Sequence, residues 1–148
     1  MKAEDLMTPT PTVITADESI SKTAGVMRNL DVGMLPVVDD LTSRKLIGVI
    51  TDRDIVVRCL AEQGLTECLV RSHMSTSPLV YVHESTPLEE IAGKMERFQV
   101  RRLPVVDARM RVVGIVTQAD LALRVGRQNP ALVEEVIEKI STPGALVH

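Results

Sequence analysis

The chain has 148 residues, 45% hydrophobic and 25% charged, with a net charge of −3. This is the composition of a soluble globular protein with one ordinary core, or of two half-size units sharing one. It excludes a broad basic face for nucleic acid or anionic membrane, and with 1% aromatic residues it lacks the rings that stack single-stranded bases.

The amino terminus, MKAEDLMTPT, has no apolar h-region, and no apolar run nears the ~20 residues that cross a bilayer. A cytoplasmic location is expected. Residues 12–15 read as a short strand. Ile20, Ala24, Met27 and Leu30 follow on one helical face. MLPVVD and KLIGVIT are two apolar strands joined by a short polar hairpin, and a second helix starts at Thr51. Cys59 and Cys68 fit no metal spacing and are too few for a disulfide framework, so two buried thiols are expected, with a redox pair as the alternative.

From there the chain repeats itself. VGMLPVVDD at Val32 returns as VRRLPVVDA at Val100, an offset of 68. Met7 stands opposite Met74, and Gly48 opposite Gly114 at an offset of 66. Residues 79–82 read as the second copy's first strand. In TPLEE, Thr86 is expected as N-cap, Pro87 as first helical residue and Glu89 as the end of a capping box, with Ile91, Met95 and Phe98 on one face. RLPVVD, RVVGIVT and a helix from Thr117 complete the copy. The expected fold is α+β: two pseudo-symmetric β-α-β-β-α repeats over residues 5–62 and 72–126. Residues 127–148 add a C-terminal helix, with Asn129 as cap and Val133, Val136, Ile137 and Ile140 on one stripe, then an irregular STPGALVH tail. The helix is expected to pack on the module or on a partner chain.

Each copy carries Gly-x-x-Thr-x-x-Asp after a β-branched run: Gly48, Thr51 and Asp54, then Gly114, Thr117 and Asp120. Thr-x-x-Asp is also a helix capping box, and a strand glycine can simply permit close packing. The same geometry suits a nucleoside phosphate. A helix start attracts phosphate, a Thr hydroxyl donates to it, and an Asp one turn on offers acceptors to a ribose diol. The glycine would leave room for a flat ring. Pro36 and Pro104 remove a backbone donor, and such a proline belongs at a strand start or sheet edge.

The doubled LPVVD followed by GVITDRD or GIVTQAD resembles the cystathionine-β-synthase (CBS) domain in its tandem form, the Bateman module, as found in small bacterial CBS-pair proteins. The resemblance spans about residues 5–126. It implies a regulatory module, not an enzyme, that binds adenosine compounds such as AMP, ADP or ATP in clefts between repeats, requires no cofactor, forms homodimers and signals to an unknown partner protein. By the same resemblance Asp54 and Asp120 are ribose acids and Thr51 and Thr117 phosphate-side hydroxyls. Leu35 and Leu103 line the base pocket with Thr12, Val13, Ser77 and Pro78. Arg102, beside Arg101, matches a phosphate-contacting base. The first copy has Gly33 and Met34 at those places and only Arg53 next to its acid, so the second copy is expected to hold phosphate more tightly. A module that docks partners with vestigial clefts is the alternative.

No catalytic constellation is visible. His73, His83 and His148 are scattered, and neither a G-x-S-x-G elbow nor a G-x-x-x-x-G-K-[ST] loop is present.

Overall fold

The computed structural model describes residues 1–63 and 68–142. In chain order the first part comprises α1 (Ala3–Leu6), β1 (Thr8–Pro9), β2 (Ile14–Thr15), α2 (Ile20–Leu30), β3 (Met34–Val38), β4 (Leu46–Thr51), α3 (Asp52–Asp54), a π-helical run (Ile55–Leu60) and α4 (Ala61–Gln63). A 3-10 turn (Val70–Ser72) leads to β5 (Val82–His83), α5 (Leu88–Phe98), β6 (Arg102–Val106), β7 (Val112–Thr117), α6 (Gln118–Asp120), a second π-helical run (Leu121–Val125) and α7 (Pro130–Ser141). The expected β-α-β-β-α order is present twice, followed by the extra helix. The STPGALVH tail lies, after Thr142, outside the described residues; its Ser141 is the last residue of α7. Among the described residues no helix is long and apolar enough to cross a membrane.

The chain divides into two compact units, and these differ from the sequence repeats. One unit gathers Met1–Pro11, Val80–Ala108 and Val113–His148. Its sheet runs β1-β7-β6-β5. β1 lies antiparallel to β7, with Thr8 opposite Ile115, and β5 lies parallel to β6, with Val82 opposite Val105. Leu6, Ile91, Met95, Leu103, Val116 and Val136 are in its core. Asn129 caps α7 as expected, its Oδ1 accepting the Leu132 N–H at 3.2 Å. The helix buries Val133, Val136 and Ile140. It is tied beside α5 by Gln99 Nε2, which donates to the Lys139 carbonyl at 2.9 Å, and by Lys139 Nζ, 3.5 Å from Glu96.

The other unit comprises Thr12–Leu79 with Arg109–Val112. Its sheet runs β2-β3-β4, with β3 buried along its whole length. The position of Pro36 corrects the expectation of a strand start or sheet edge, because it is the third residue of the central strand. Val49, opposite Pro36, spends its N–H and C=O on Ser75, at 3.1 and 2.8 Å. Pro36–Val49 is therefore a pair without mutual hydrogen bonds, and the missing donor would point away from β4. On that side β2 begins pairing only at Val37, so the proline costs the ladder nothing.

Three local expectations are corrected. Thr86 is not the cap of α5. Its Oγ1 accepts the His83 N–H at 2.9 Å and closes a turn after β5, so Pro87 becomes the N-cap and no side chain caps the helix. Leu30 is exposed, because the buried face of α2 passes through Ile20, Thr23 and Met27; the Thr23 hydroxyl satisfies itself on the Ser19 carbonyl at 2.8 Å. Cys59 and Cys68 are not thiols but a disulfide in the second unit's core, with Cα atoms 6.5 Å apart. Ile20 N–H donates to the Cys68 carbonyl and Val70 N–H to that of Glu18, at 2.8 and 2.9 Å, fixing the segment after the disulfide on the start of α2.

Candidate functional site

The Gly-x-x-Thr-x-x-Asp stretches occupy the ends of β4 and β7. Both strands alternate, burying their first, third and fifth residues, and both stop at a threonine in extended conformation. Thr51 Oγ1 accepts the Asp54 N–H at 3.1 Å, and Asp54 Oδ2 accepts the Thr51 N–H at 3.0 Å. Asp120 N–H donates to Thr117 Oγ1 at 3.1 Å, and Thr117 N–H to Asp120 Oδ2 at 2.8 Å. Both sets are reciprocal capping boxes, as the spacing requires. Each box uses one carboxylate oxygen. At Asp54 the other, Oδ1, lies 3.7 Å from Arg58 Nε; Asp120 Oδ1 takes no part in its box.

Both helices continue as π-helix immediately after the aspartate. Ala61 N–H donates to the Val56 carbonyl and Gly126 N–H to that of Leu121, each five residues back. Such widened turns concentrate at functional sites. They follow the two acids at equivalent places, which nothing in the apolar pattern announces.

The glycines do not open room for a ring. A Cβ on Gly114 would lie 2.8 Å from Met7 Cγ, and one on Gly48 would lie 3.0 Å from the Ser75 carbonyl oxygen and 3.2 Å from Met74 Sδ. Met7 and Met74 are the pair matched in the repeat, so each glycine is there to seat a methionine from a crossing segment.

The two helix starts differ in charge. Gly33 C=O accepts the Asp52 N–H at 2.9 Å, and its equivalent, Arg101 C=O, accepts the Gln118 N–H at 2.8 Å. The first start thus carries the carboxylate of Asp52 and the guanidinium of Arg53, both exposed. The second carries the exposed guanidiniums of Arg101 and Arg102 beside neutral Gln118. Asp52 was missed by the motif reading; the signal was its place opposite Gln118. The remaining expected residues divide by burial. Leu35 and Leu103 are each packed in the core of their own unit, and Val13 is buried. Thr12, Ser77 and Pro78 are exposed.

The profile of the CBS domain matches residues 3–60 and 70–127. Hypoxic response protein 1 of Mycobacterium tuberculosis is 33% identical over 144 residues, 97% of this chain and 96% of that protein. A crystal structure of hypoxic response protein I with two coordinated zinc ions shares 37% identity at a TM-score of 0.72, covering 82% of this chain and 97% of that one. The CBS domain pair of protein MJ0100, in complex with 5′-methylthioadenosine and S-adenosyl-L-methionine, is 29% identical with a TM-score of 0.73, over 86% of this chain and 98% of that one. CBSX2 of Arabidopsis thaliana, in complex with AMP, is 31% identical with a TM-score of 0.72, over 87% and 98%. With the doubled capping boxes, the doubled strand pairs and a profile that matches twice, this chain belongs to the CBS domain family and carries the domain as a tandem pair.

Proposed function

We propose that this CBS pair is a regulatory, non-catalytic sensor of an adenosine nucleotide, working as a homodimer on a partner protein inside the cell. The observation that carries the reading is the pair of capping boxes, in which a threonine and an aspartate are locked at each helix start while the second carboxylate oxygen takes no part in the box. That oxygen accepts from a ribose hydroxyl, and the amide end of the helix faces negative charge. Solved relatives in complex with AMP and with S-adenosyl-L-methionine support an adenosine compound.

In this reading Asp120 and Thr117 hold sugar and phosphate with Arg101 and Arg102, while the main chain at Leu103, whose side chain is packed in the core, meets the base. Asp54, Thr51 and Arg53 form the first site with exposed Thr12 and the main chain at buried Leu35 and Val13. The second site is the tighter for nucleotides with more phosphate, because two guanidiniums stand where the first has one and a carboxylate. A second reading, a docking module with vestigial clefts, draws on Arg58 already lying against Asp54.

Calorimetric titration with AMP, ADP and ATP tests both. The expected result is saturable binding that Asp120→Ala weakens at least ~10-fold, as loss of a charge-assisted hydrogen bond requires, with Asp54→Ala costing less. Heats absent for all three nucleotides reject the sensor and leave the docking module.

A further inference from the structure

Cys59, Cys68 and His73 lie together in the core of one compact unit, all three buried. Two sulfurs and an imidazole nitrogen fall within 4.8 Å of one another. His73 is 3% exposed, and its Nε2 is the buried side-chain polar atom that lacks a hydrogen-bond partner among the described residues. Its backbone is fixed, since the His73 N–H donates to the Val70 carbonyl at 3.0 Å. A buried imidazole nitrogen without a partner is costly and calls for an occupant. The nucleotide reading uses none of these three residues.

Two sulfurs and one imidazole nitrogen are the donors of a soft divalent cation, zinc foremost. Ligand atoms in a tetrahedral zinc site stand about 3.5–4 Å apart, given its bond lengths, so the three side chains already approach that spacing. The disulfide withholds the sulfurs, because only thiolates bind the metal. We propose that reduction of Cys59–Cys68 uncovers a buried two-sulfur, one-nitrogen zinc site completed by His73, so that disulfide and metal are alternative states of one pair.

In the first step a dithiol reductant supplies two electrons and two protons. The S–S bond breaks, two thiols form, and the reductant leaves as its own disulfide. Zinc then displaces both thiol protons to solvent and accepts the Nε2 lone pair, and water takes the fourth position. No electron moves in this second step.

The full chain, reduced with a phosphine and desalted without oxygen, is titrated with Co²⁺ as a spectroscopic substitute for zinc. Two titratable thiols, retained circular dichroism, a thiolate-to-cobalt charge-transfer band and tetrahedral d–d bands saturating at one Co²⁺ per chain are expected, with Zn²⁺ bleaching the bands. The oxidised chain shows none. His73→Gln keeps the charge-transfer band and lowers affinity at least ~10-fold, whereas the double change Cys59→Ser, Cys68→Ser abolishes it. Equal binding by the oxidised chain, indifference to His73→Gln, failure to release thiols from the folded chain, loss of fold on reduction, or no band in the reduced chain overturns the proposal.

Discussion

Gly114 and Gly48 hold equivalent places in β7 and β4, and each is packed against a methionine delivered by another stretch of chain. A methyl group at Gly114 has nowhere to go unless Met7 moves, and overpacking of that kind costs about 1–3 kcal/mol. Gly114→Ala is therefore expected to lower stability in urea unfolding by that order. Met7→Ala opens the seat, so the double variant loses less than the two single losses added together. The glycines and methionines were legible as repeated letters, but not as partners, because the sequence comparison aligns like with like and cannot say which copy touches which.

The β3–β4 turn offers a second residue-scale test. The Ser43 hydroxyl donates to Asp39 Oδ1 at 2.5 Å, and its N–H donates to Asp40 Oδ1 at 2.7 Å. Ser43 and the neighbouring amides hold both carboxyls below the usual carboxylate range. A depressed folded-state value stabilises above the ordinary pKa, ~3.9 for an aspartate, and that contribution is lost as pH falls through the folded values. Ser43→Ala is expected to raise both titrations towards the ordinary value in carboxyl-detected NMR, the larger rise at Asp39, whose leading cause is the Ser43 hydroxyl. Both carboxyls are exposed, so the change in overall stability is small.

Among the elements, the strands and the paired helix starts were the most legible, because β-branched runs and Thr-x-x-Asp each answer to a local rule. Thr86 followed the same rule and broke it, since the turn at His83 claimed its hydroxyl first. The π-helical runs left no local trace. Their outward faces nevertheless share a feature across the repeats. Val57 and its equivalent Leu123 are both exposed, Leu123 at 74%, as are Val56 and Leu60. Large apolar side chains at matched places on two helices are what a self-associating surface requires. Leu123→Asp is expected to convert a dimer into a monomer by light scattering coupled to size exclusion, with the circular dichroism spectrum retained. A monomeric unaltered chain at the same concentration would reject the homodimer.

Across the whole molecule, the duplication and its family were plain from the sequence, because hPVVD and Gly-x-x-Thr-x-x-Asp recur in order. The division into units was not. Met1–Pro11 sits in the unit of β5 to β7, and Arg109–Val112 in that of β2 to β4. Leu46 N–H donates to the Met110 carbonyl and Val112 N–H to that of Arg44, both at 2.9 Å. Periodicity reports which face of a strand is buried, not which strand lies beside it, so an exchange of this kind is silent in the pattern. The disulfide was faint: two cysteines at a spacing of 9 carry no motif and offered a redox pair only as the alternative, and only the folded chain brings them to His73.

The seating of Met7 against β7 also bears on how the chain is made. Synthesis runs from the amino end, and early segments ordinarily begin to fold as they emerge. Here Thr8 leaves the ribosome well ahead of Ile115, its partner across the ladder. The strand that holds Thr8 must wait for its ladder until the strand that holds Ile115 has appeared. Closing that contact is the long-range step that should set the pace of maturation in a newborn molecule.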